Sequence, residues 1–309
     1  MQKYQQYTLY RFEESHIPDW IRLFEEVFGK KWTQKAVKQK YAHSKYSYLG
    51  FVAYSPENKL IASYTGVYRE IYFQGISEKV LQSCDTMTHP AHQGRGLFPY
   101  LAELTYQLIQ EQGFTAVFGF PNQNSFPTFT QKMQWKVADN FIGYEIKVST
   151  LPLAAIFSKF SLIQPLFAKY VQIYMGLFYG KIGDSTALFN SFSGETYPVI
   201  LRNFQKPNTF LIAVKDTLFW VKITNSLIIG DIKSRSCRDL AQAMQKLLWI
   251  CRLCGIKTIY FQSLKGSETE AFFAKNYASF ASLSLTYRNF SSQIPLQQLK
   301  ATWGDVDTF

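Results

Sequence analysis

Charge, glycine and cysteine are all scarce in this chain. Charged residues fill 18% of its 309 positions and hydrophobic ones 47%, so enough apolar material is present to bury real cores and wholesale disorder is excluded. The four cysteines are Cys84, Cys237, Cys251 and Cys254. Cys251 and Cys254 form a C-x-x-C, but the pair lies inside the apolar helical run LAQAMQKLLWICRLCG. No second Cys or His pair stands at ligand spacing, so it reads as packing, and no metal is expected. Reduced thiols, and the lack of a basic stretch followed by an apolar run at Met1–Tyr10, point to the cytoplasm. Long apolar runs are also missing. The one candidate, Leu151–Tyr179, is cut by Lys159, Pro165 and Lys169 into pieces shorter than the ~20 residues a bilayer needs. It reads as buried or amphipathic helix, with no membrane span.

What is abundant is aromatic: 27 Phe and 20 Tyr, material for large interiors or binding walls. The length is comfortable for two domains. The net charge of +11 divides as +3 in residues 1–150 and +8 in residues 151–309. The basic residues are scattered, which favours a general attraction for anions and not sequence-specific nucleic-acid reading.

The periodicity of HIPDWIRLFEEVF predicts a helix with Ile17, Trp20, Ile21, Phe24 and Val27 on one face. A second helix follows from a cap at Thr33 to Tyr41. The runs LGFVAYS, IASYTGVYREIYF and VLQSCDTMTH predict strands, and TAVFGF another after a helix stopped near Gln112–Gly113. This order implies an α+β fold, a mixed sheet flanked by helices. After Gly255 the pattern of strand, polar loop, helix and aromatic exit returns, which predicts a repeat of a whole domain.

The stretch THPAHQGRGLFPYLAEL places Gly94 and Gly96 between a strand and a helix. Free N–H groups at a helix start suit phosphate, and glycine lets a ligand approach the main chain. A dinucleotide fingerprint needs a third glycine and a following strand, and a P-loop needs Gly-Lys-Ser/Thr; both fail.

These residues resemble the pyrophosphate loop of the GNAT acyl-CoA N-acyltransferases, Gln/Arg-x-x-Gly-x-Gly/Ala after a strand. Pro90 precedes the loop, Gln93 and Gly96 match, and Phe98 replaces the last small residue. A second family feature, Asn-x-x-Ala/Ser-x-x-x-aromatic, is matched by Asn122, Ser125 and Phe129. Trp135 stands near the usual Gly-Phe ending, with Gln134 replacing its glycine. The resemblance implies two tandem GNAT-like copies: an acetyltransferase domain at 1–150, a helical linker at 151–182, and a degenerate copy at 183–309. In that copy the strand NSLIIGDI enters its helix through KSRSCRDL without a glycine turn.

The resemblance also implies roles. Acetyl-CoA is the expected co-substrate, held by the main chain of Gln93, Gly94, Arg95, Gly96, Leu97 and Phe98, with the Arg95 side chain available for phosphate. Met87 and Thr88 would run beside the pantetheine. Asn122, with Ser125 and Phe129, would contact the cofactor arm, or Asn122 would cap a helix. Many relatives carry tyrosine at Phe129, and phenylalanine donates no proton. Asp85 and His89 are the candidate bases, with His92 also flanking the loop. Tyr41, Tyr46 and Tyr48 would border an acceptor site for a small-molecule amine. The expected activity is N-acetyl transfer. The alternatives are a Fem-type aminoacyl-tRNA-dependent transferase and a catalytically silent acyl-CoA sensor.

Overall fold

The computed structural model describes residues 4–42, 46–149, 169–170, 173–174, 176–178, 191–202, 209–224 and 226–309. Apart from the residues just named, the expected helical linker at 151–182 lies outside them. In chain order the main elements are β1 (Thr8–Arg11), α1 (Ile17–Phe28), α2 (Gln34–Tyr41), β2 (Leu49–Tyr54), β3 (Leu60–Phe73), β4 (Ile76–Thr88), α3 (Leu97–Glu111), β5 (Ala116–Gly119) and β6 (Lys136–Lys147). Then come β7 (Val199–Ile200), β8 (Thr209–Val214), β9 (Thr217–Ile223), β10 (Leu227–Lys233), α4 (Cys237–Leu253), β11 (Thr258–Ser263), α5 (Glu268–Asn276) and β12 (Ser279–Asn289).

Contacts divide the chain into two compact units, Met1–Asp139 with Ser284–Gln298 and Asn140–Leu283 with Leu299–Phe309. This differs from a division in simple chain order at 150 and 183, because each unit draws a strand from beyond its own stretch.

In the first unit the strand order is β1-β2-β3-β4-β5-β12. Buried Ile17, Trp20, Leu23 and Phe24 recur at helical spacing along α1, which ends at Gly29 with φ 66°. Thr33 caps α2 by accepting the Ala36 N–H at 3.2 Å. β2, β3 and β4 form an antiparallel meander, and α3 returns the chain so that β5 lies parallel to β4. Residues Thr286–Asn289 of β12 close the far edge of β5 antiparallel. Leu97, Leu101, Tyr106 and Ile109 of α3 pack with Tyr64, Leu81 and Val117 in one core, while α1 and α2 bury Trp20, Val37 and Tyr41 with Val52 and Cys84 in another.

The second unit has strand order β6-β11-β10-β9-β8. Its meander β8-β9-β10, then α4, then β11 parallel to β10, follows the order of β2-β3-β4-α3-β5. Leu240, Met244, Leu247, Ile250 and Cys251 of α4 pack over Ile229, Ile259 and Phe261. Burial pushes the Cys254 thiol up to about 11 and Cys251 higher, so both behave as apolar packing groups. Among the described residues no helix is long and apolar enough to cross a membrane.

Leu81 is fully buried on β4 within the α3 core. Leu81→Ala is expected to lower stability by about 2–5 kcal/mol through lost transfer energy plus a cavity, read as a lower urea midpoint with unchanged slope.

Candidate active site

The site starts from one extra residue in β4. Ser63 faces Met87 and Thr65 faces Cys84, so on β4 two residues, Asp85 and Thr86, oppose the single Tyr64. Asp85 takes φ 48°, a left-handed conformation that Asp tolerates better than most side chains. Side chains alternate along a strand, and the extra residue shifts the phase. Met87 therefore joins Cys84 in the α1–α2 core, although three positions separate them.

The same bulge opens a fork. β4 and β5 pair in parallel from Val80↔Ala116 to Ser83↔Gly119. There β5 ends, two residues before Pro121, while β4 continues to Thr88 still paired to β3. The β5-facing edge of Cys84–Thr88 is therefore left out of the ladder.

At the end of that edge lies the glycine loop. His89 begins a short 3-10 turn, Pro90–His92, its Nδ1 accepting the Ala91 N–H at 3.2 Å. Gly94 and Gly96 adopt φ 74° and 81°, which only residues without a Cβ enter freely. A Cβ on Gly94 would meet nothing within 4 Å, so the loop is open to an approaching group. Gly96 leads into α3, and the first-turn N–H groups of Leu97 and Phe98 have no intrahelical acceptor; Pro99 carries none. The helix dipole adds positive potential there.

The loop is braced by side chains that sequence reading missed. Tyr4 donates to the Gly96 carbonyl at 3.2 Å and stacks on Tyr100 at 4.2 Å. Arg95 donates to the Tyr7 hydroxyl (3.1 Å) and to the Ala91 carbonyl (3.0 Å). Gln93 donates to the Thr88 carbonyl at 3.1 Å. Both side chains thus shape the loop. Burial, with the charges of Arg95 and His89, lowers the pKa of His92. No spacing rule links residues 4 and 7 to a loop at 93–98.

Asp85 is placed by α2. Its Oδ2 accepts from the Lys40 ammonium and the Tyr41 hydroxyl, both at 2.6 Å. The Lys40 and Asp85 side chains are 14% and 9% exposed. Tyr41 also contacts the Thr65 hydroxyl at 3.2 Å. Burial, followed by the Asp85 charge, holds its phenol well above the usual range. Lys40 lies over the Trp32 ring at 5.3 Å, a cation–π contact. Ser63 Oγ, two residues from Thr65 on β3, is buried without a hydrogen-bond partner.

The remaining candidates separate. Tyr46 accepts from Lys79 at 3.0 Å and packs on Tyr68 and Phe114; Lys79 is nine positions before Thr88, about 30 Å along the strand. Tyr48 reaches Glu14 at 3.4 Å and the Phe12 ring. His89 Nε2 lies 3.7 Å from Glu26, and its Nδ1 accepts within its own turn. Asn122 caps its own turn, Oδ1 accepting from the N–H groups of Asn124 and Ser125 at 3.0 Å each, the capping alternative. Phe129 sits in a π-helical turn, Thr128–Lys132, and its ring meets Phe98 at 5.0 Å and Trp135 at 4.4 Å. The bulky Phe98 therefore points into the core and joins the two motifs. Gln134 holds φ 58°, the conformation that suits the glycine it replaces.

Lys40→Met is expected to destabilise the chain by about 3 kcal/mol, because it strands a nearly buried carboxylate. Tyr41→Phe removes one donor and costs about 1–2 kcal/mol. Chemical denaturation of both single variants and the double variant measures the two contributions and their coupling.

The family model described as "Acetyltransferase (GNAT) domain" matches residues 9–138. No curated protein matches the sequence. Among solved structures, a GCN5-related N-acetyltransferase from Kribbella flavida superposes with TM-score 0.54 at 10% identity, over 92% of this chain and 71% of that one. A GCN5-related N-acetyltransferase from Anabaena variabilis gives 0.57 at 13% identity, over 92% and 73%. A Pyrococcus horikoshii protein gives 0.55 at 8%, over 98% and 95%. At such identities the structures speak for the fold. With the glycine loop opening α3 and the forked β4–β5 pair, the match to residues 9–138 makes this stretch a domain of the GNAT acetyltransferase family.

Proposed function

We propose that the chain is an acyl-CoA-dependent N-acyltransferase that moves an acetyl group onto a primary amine of a small molecule, using the first unit alone. The observation that carries this reading is the pair of positive-φ glycines at the start of α3, directly after the stretch of β4 that has parted from β5. The residues present fit the cofactor: a loop with glycine at two positions and open space beside Gly94, first-turn N–H donors and a positive dipole end suit a pyrophosphate.

The main chain of Gln93–Phe98 would hold the pyrophosphate, and the main-chain groups of β4 that face away from β3 beyond Ser83 would run along the pantetheine arm. Of the two residues expected there, Thr88 already accepts from Gln93 through its carbonyl, and Met87, in register with Ser63, turns its N–H and C=O toward β3. Bound acyl-CoA supplies an activated thioester. The protein supplies orientation and charge. Asp85 offers a carboxylate beside the bulge, fixed by Lys40 and Tyr41. That carboxylate attracts a cationic amine and orients it for attack on the carbonyl carbon. The ammonium first gives one proton to solvent; the neutral amine then attacks, the new C–N bond replaces C–S, the nitrogen's surplus proton passes to solvent, and the sulfur leaves as thiolate. Tyr41, protonated and donating to Asp85, keeps the carboxylate aimed.

The second unit lacks the equivalent cradle. Ser236 caps α4, accepting the Asp239 N–H at 3.1 Å and donating to the Asp239 carboxylate at 2.8 Å. Its helix start is thus already served by side-chain oxygens and a negative charge, which supports one cofactor per chain. A silent acyl-CoA sensor is the second reading, favoured by Phe129, a buried ring without a hydroxyl among other rings.

Calorimetric titration with acetyl-CoA tests the site. One-to-one saturable binding is expected. Gly94→Asp enters positive φ with little strain and open space, yet puts a charge against phosphate. Loss of two charge-assisted hydrogen bonds at about 1.5–3 kcal/mol each predicts affinity lower by ~100-fold or more, while Gly94→Asn, without the charge, loses far less. Absence of binding by the parent chain would sink the proposal. Thiol release on adding amines separates the two readings: turnover that falls in Asp85→Asn supports the enzyme, and binding without turnover supports the sensor.

A further inference from the structure

The second unit contains a fork built like the first. β10 and β11 pair in parallel from Leu227↔Ile259 to Ile229↔Phe261. On β10 an extra residue follows at once: Ile229 faces Val221 and Asp231 faces Trp220, with Gly230 between them. Beyond this bulge β10 runs on to Lys233 and β11 to Ser263 without pairing to each other.

This fork is filled by the chain itself. Lys300 bridges Val199 in parallel and donates its N–H to the Pro198 carbonyl at 2.9 Å. Thr302 then pairs antiparallel with Ser263, and the Leu264 N–H donates to the Ala301 carbonyl at 3.2 Å. β6 already occupies the other edge of Ser263 through Ile142, so Thr302 lies on the edge facing β10. The turn Trp303–Asp305 packs against both β10 and β11. Two glycines permit this closeness. A Cβ on Gly304 would collide with the Trp220 ring and come within 3.2 Å of the Gly230 carbonyl, and a Cβ on Gly230 would collide with the Phe309 ring. The Phe309 and Trp220 rings meet at 4.8 Å.

Charge locks the segment in place. Arg202, 4% exposed in its side chain, reaches both Asp305 oxygens at 2.6 Å, the Thr302 hydroxyl at 2.9 Å, and Asp231. Asp305 also accepts the Thr302 N–H at 2.8 Å, and Ser191 donates to Asp231. Burial drives the Asp231 pKa up against the opposing charge of Arg202. Buried charge is tolerable when each group is bonded, and here part of that bonding comes from the segment.

We propose that Ala301–Phe309 is a tethered ligand of the second unit: the bulge-opened fork of β10 and β11 is a peptide-holding groove whose occupant is this segment. The parallel with an acyl-arm channel rests on the function proposed above; the occupancy of the groove does not.

Hydrogen exchange on the full chain tests it, with Leu264 and Lys300 as reporters because their N–H acceptors are Ala301 and Pro198. Both are expected to exchange as slowly as core amides of β11. In Gly304→Leu, which has no room beside Trp220, protection at the two reporters should fall about tenfold or more, while β4 and β5 stay protected. Asp305→Asn, which keeps its shape but loses the charge, should give a smaller fall at the same two amides. Adding the peptide ATWGDVDTF in excess to Gly304→Leu should restore protection at Leu264. Fast exchange at Leu264 in the parent, even loss across the second unit in both variants, or no recovery with peptide would overturn the proposal. Failed acetyl-CoA binding with these results intact would strike the functional reading alone.

Discussion

The first unit depends on a single surplus residue in β4. Without Asp85 and Thr86 standing opposite Tyr64, side-chain alternation would carry Met87 to the α3 face, and parallel pairing with β5 would have no structural reason to stop. The bulge does both at once: it changes the phase of the strand and releases an edge of main-chain groups. A left-handed non-glycine residue costs about 1–3 kcal/mol unless its surroundings fix it. Here they do, since two consecutive residues at the end of α2 donate to one oxygen of Asp85. The carboxylate that reads as chemistry is also what pins the backbone that makes the fork.

The charge economy of the loop is equally local. A chain carrying +11 has lysines enough to crowd around an anion. Instead, Arg95 is the loop's own cation, and its guanidinium already bonds to Tyr7 and Ala91. On the function proposed above, recognition would fall to main-chain N–H groups and the dipole of α3, which are fixed in direction and carry no side-chain entropy to lose. Tyrosines from the beginning of the chain hold that geometry, so residues remote in sequence set how well the loop is preorganised.

Local features were legible in the sequence because their causes are local. The apolar spacing of α1, the Thr33 cap and the glycine turn before α3 each depend on a few neighbouring residues. What escaped depends on partners. The strand that closes β5 comes from residues 286–289, and nothing in its composition names that neighbour, because strand pairing is set by the sheet and not by propensity. Lys40 carries no signal in the sequence, because its partner Asp85 lies 45 positions away at the bulge. Tyr41, Tyr46 and Tyr48 read alike as acceptor-site candidates; only Tyr41 lies in α2, with its hydroxyl on Asp85, while Tyr46 meets Lys79 far down β4.

The two forks together show what such an opening demands. A parallel pair that parts at a bulge exposes N–H and C=O groups that need partners, so each fork selects an occupant. The residues following the strand decide which kind. After β4 comes a loop of left-handed glycines and bare helix donors, complementary to a small anion on a long arm. After β10 comes a helix start already capped by Ser236 and Asp239, without a glycine turn. What that fork offers instead is a buried arginine and a glycine-lined wall, complementary to a peptide with a carboxylate and small residues at matching positions. Residues 301–309 carry Gly304 and Asp305 at those positions. On the two proposals made above, one bulged sheet architecture presents a cofactor channel in one unit and a peptide groove in the other, and the exchange takes only the loss of a glycine turn and the gain of one well-placed ion pair.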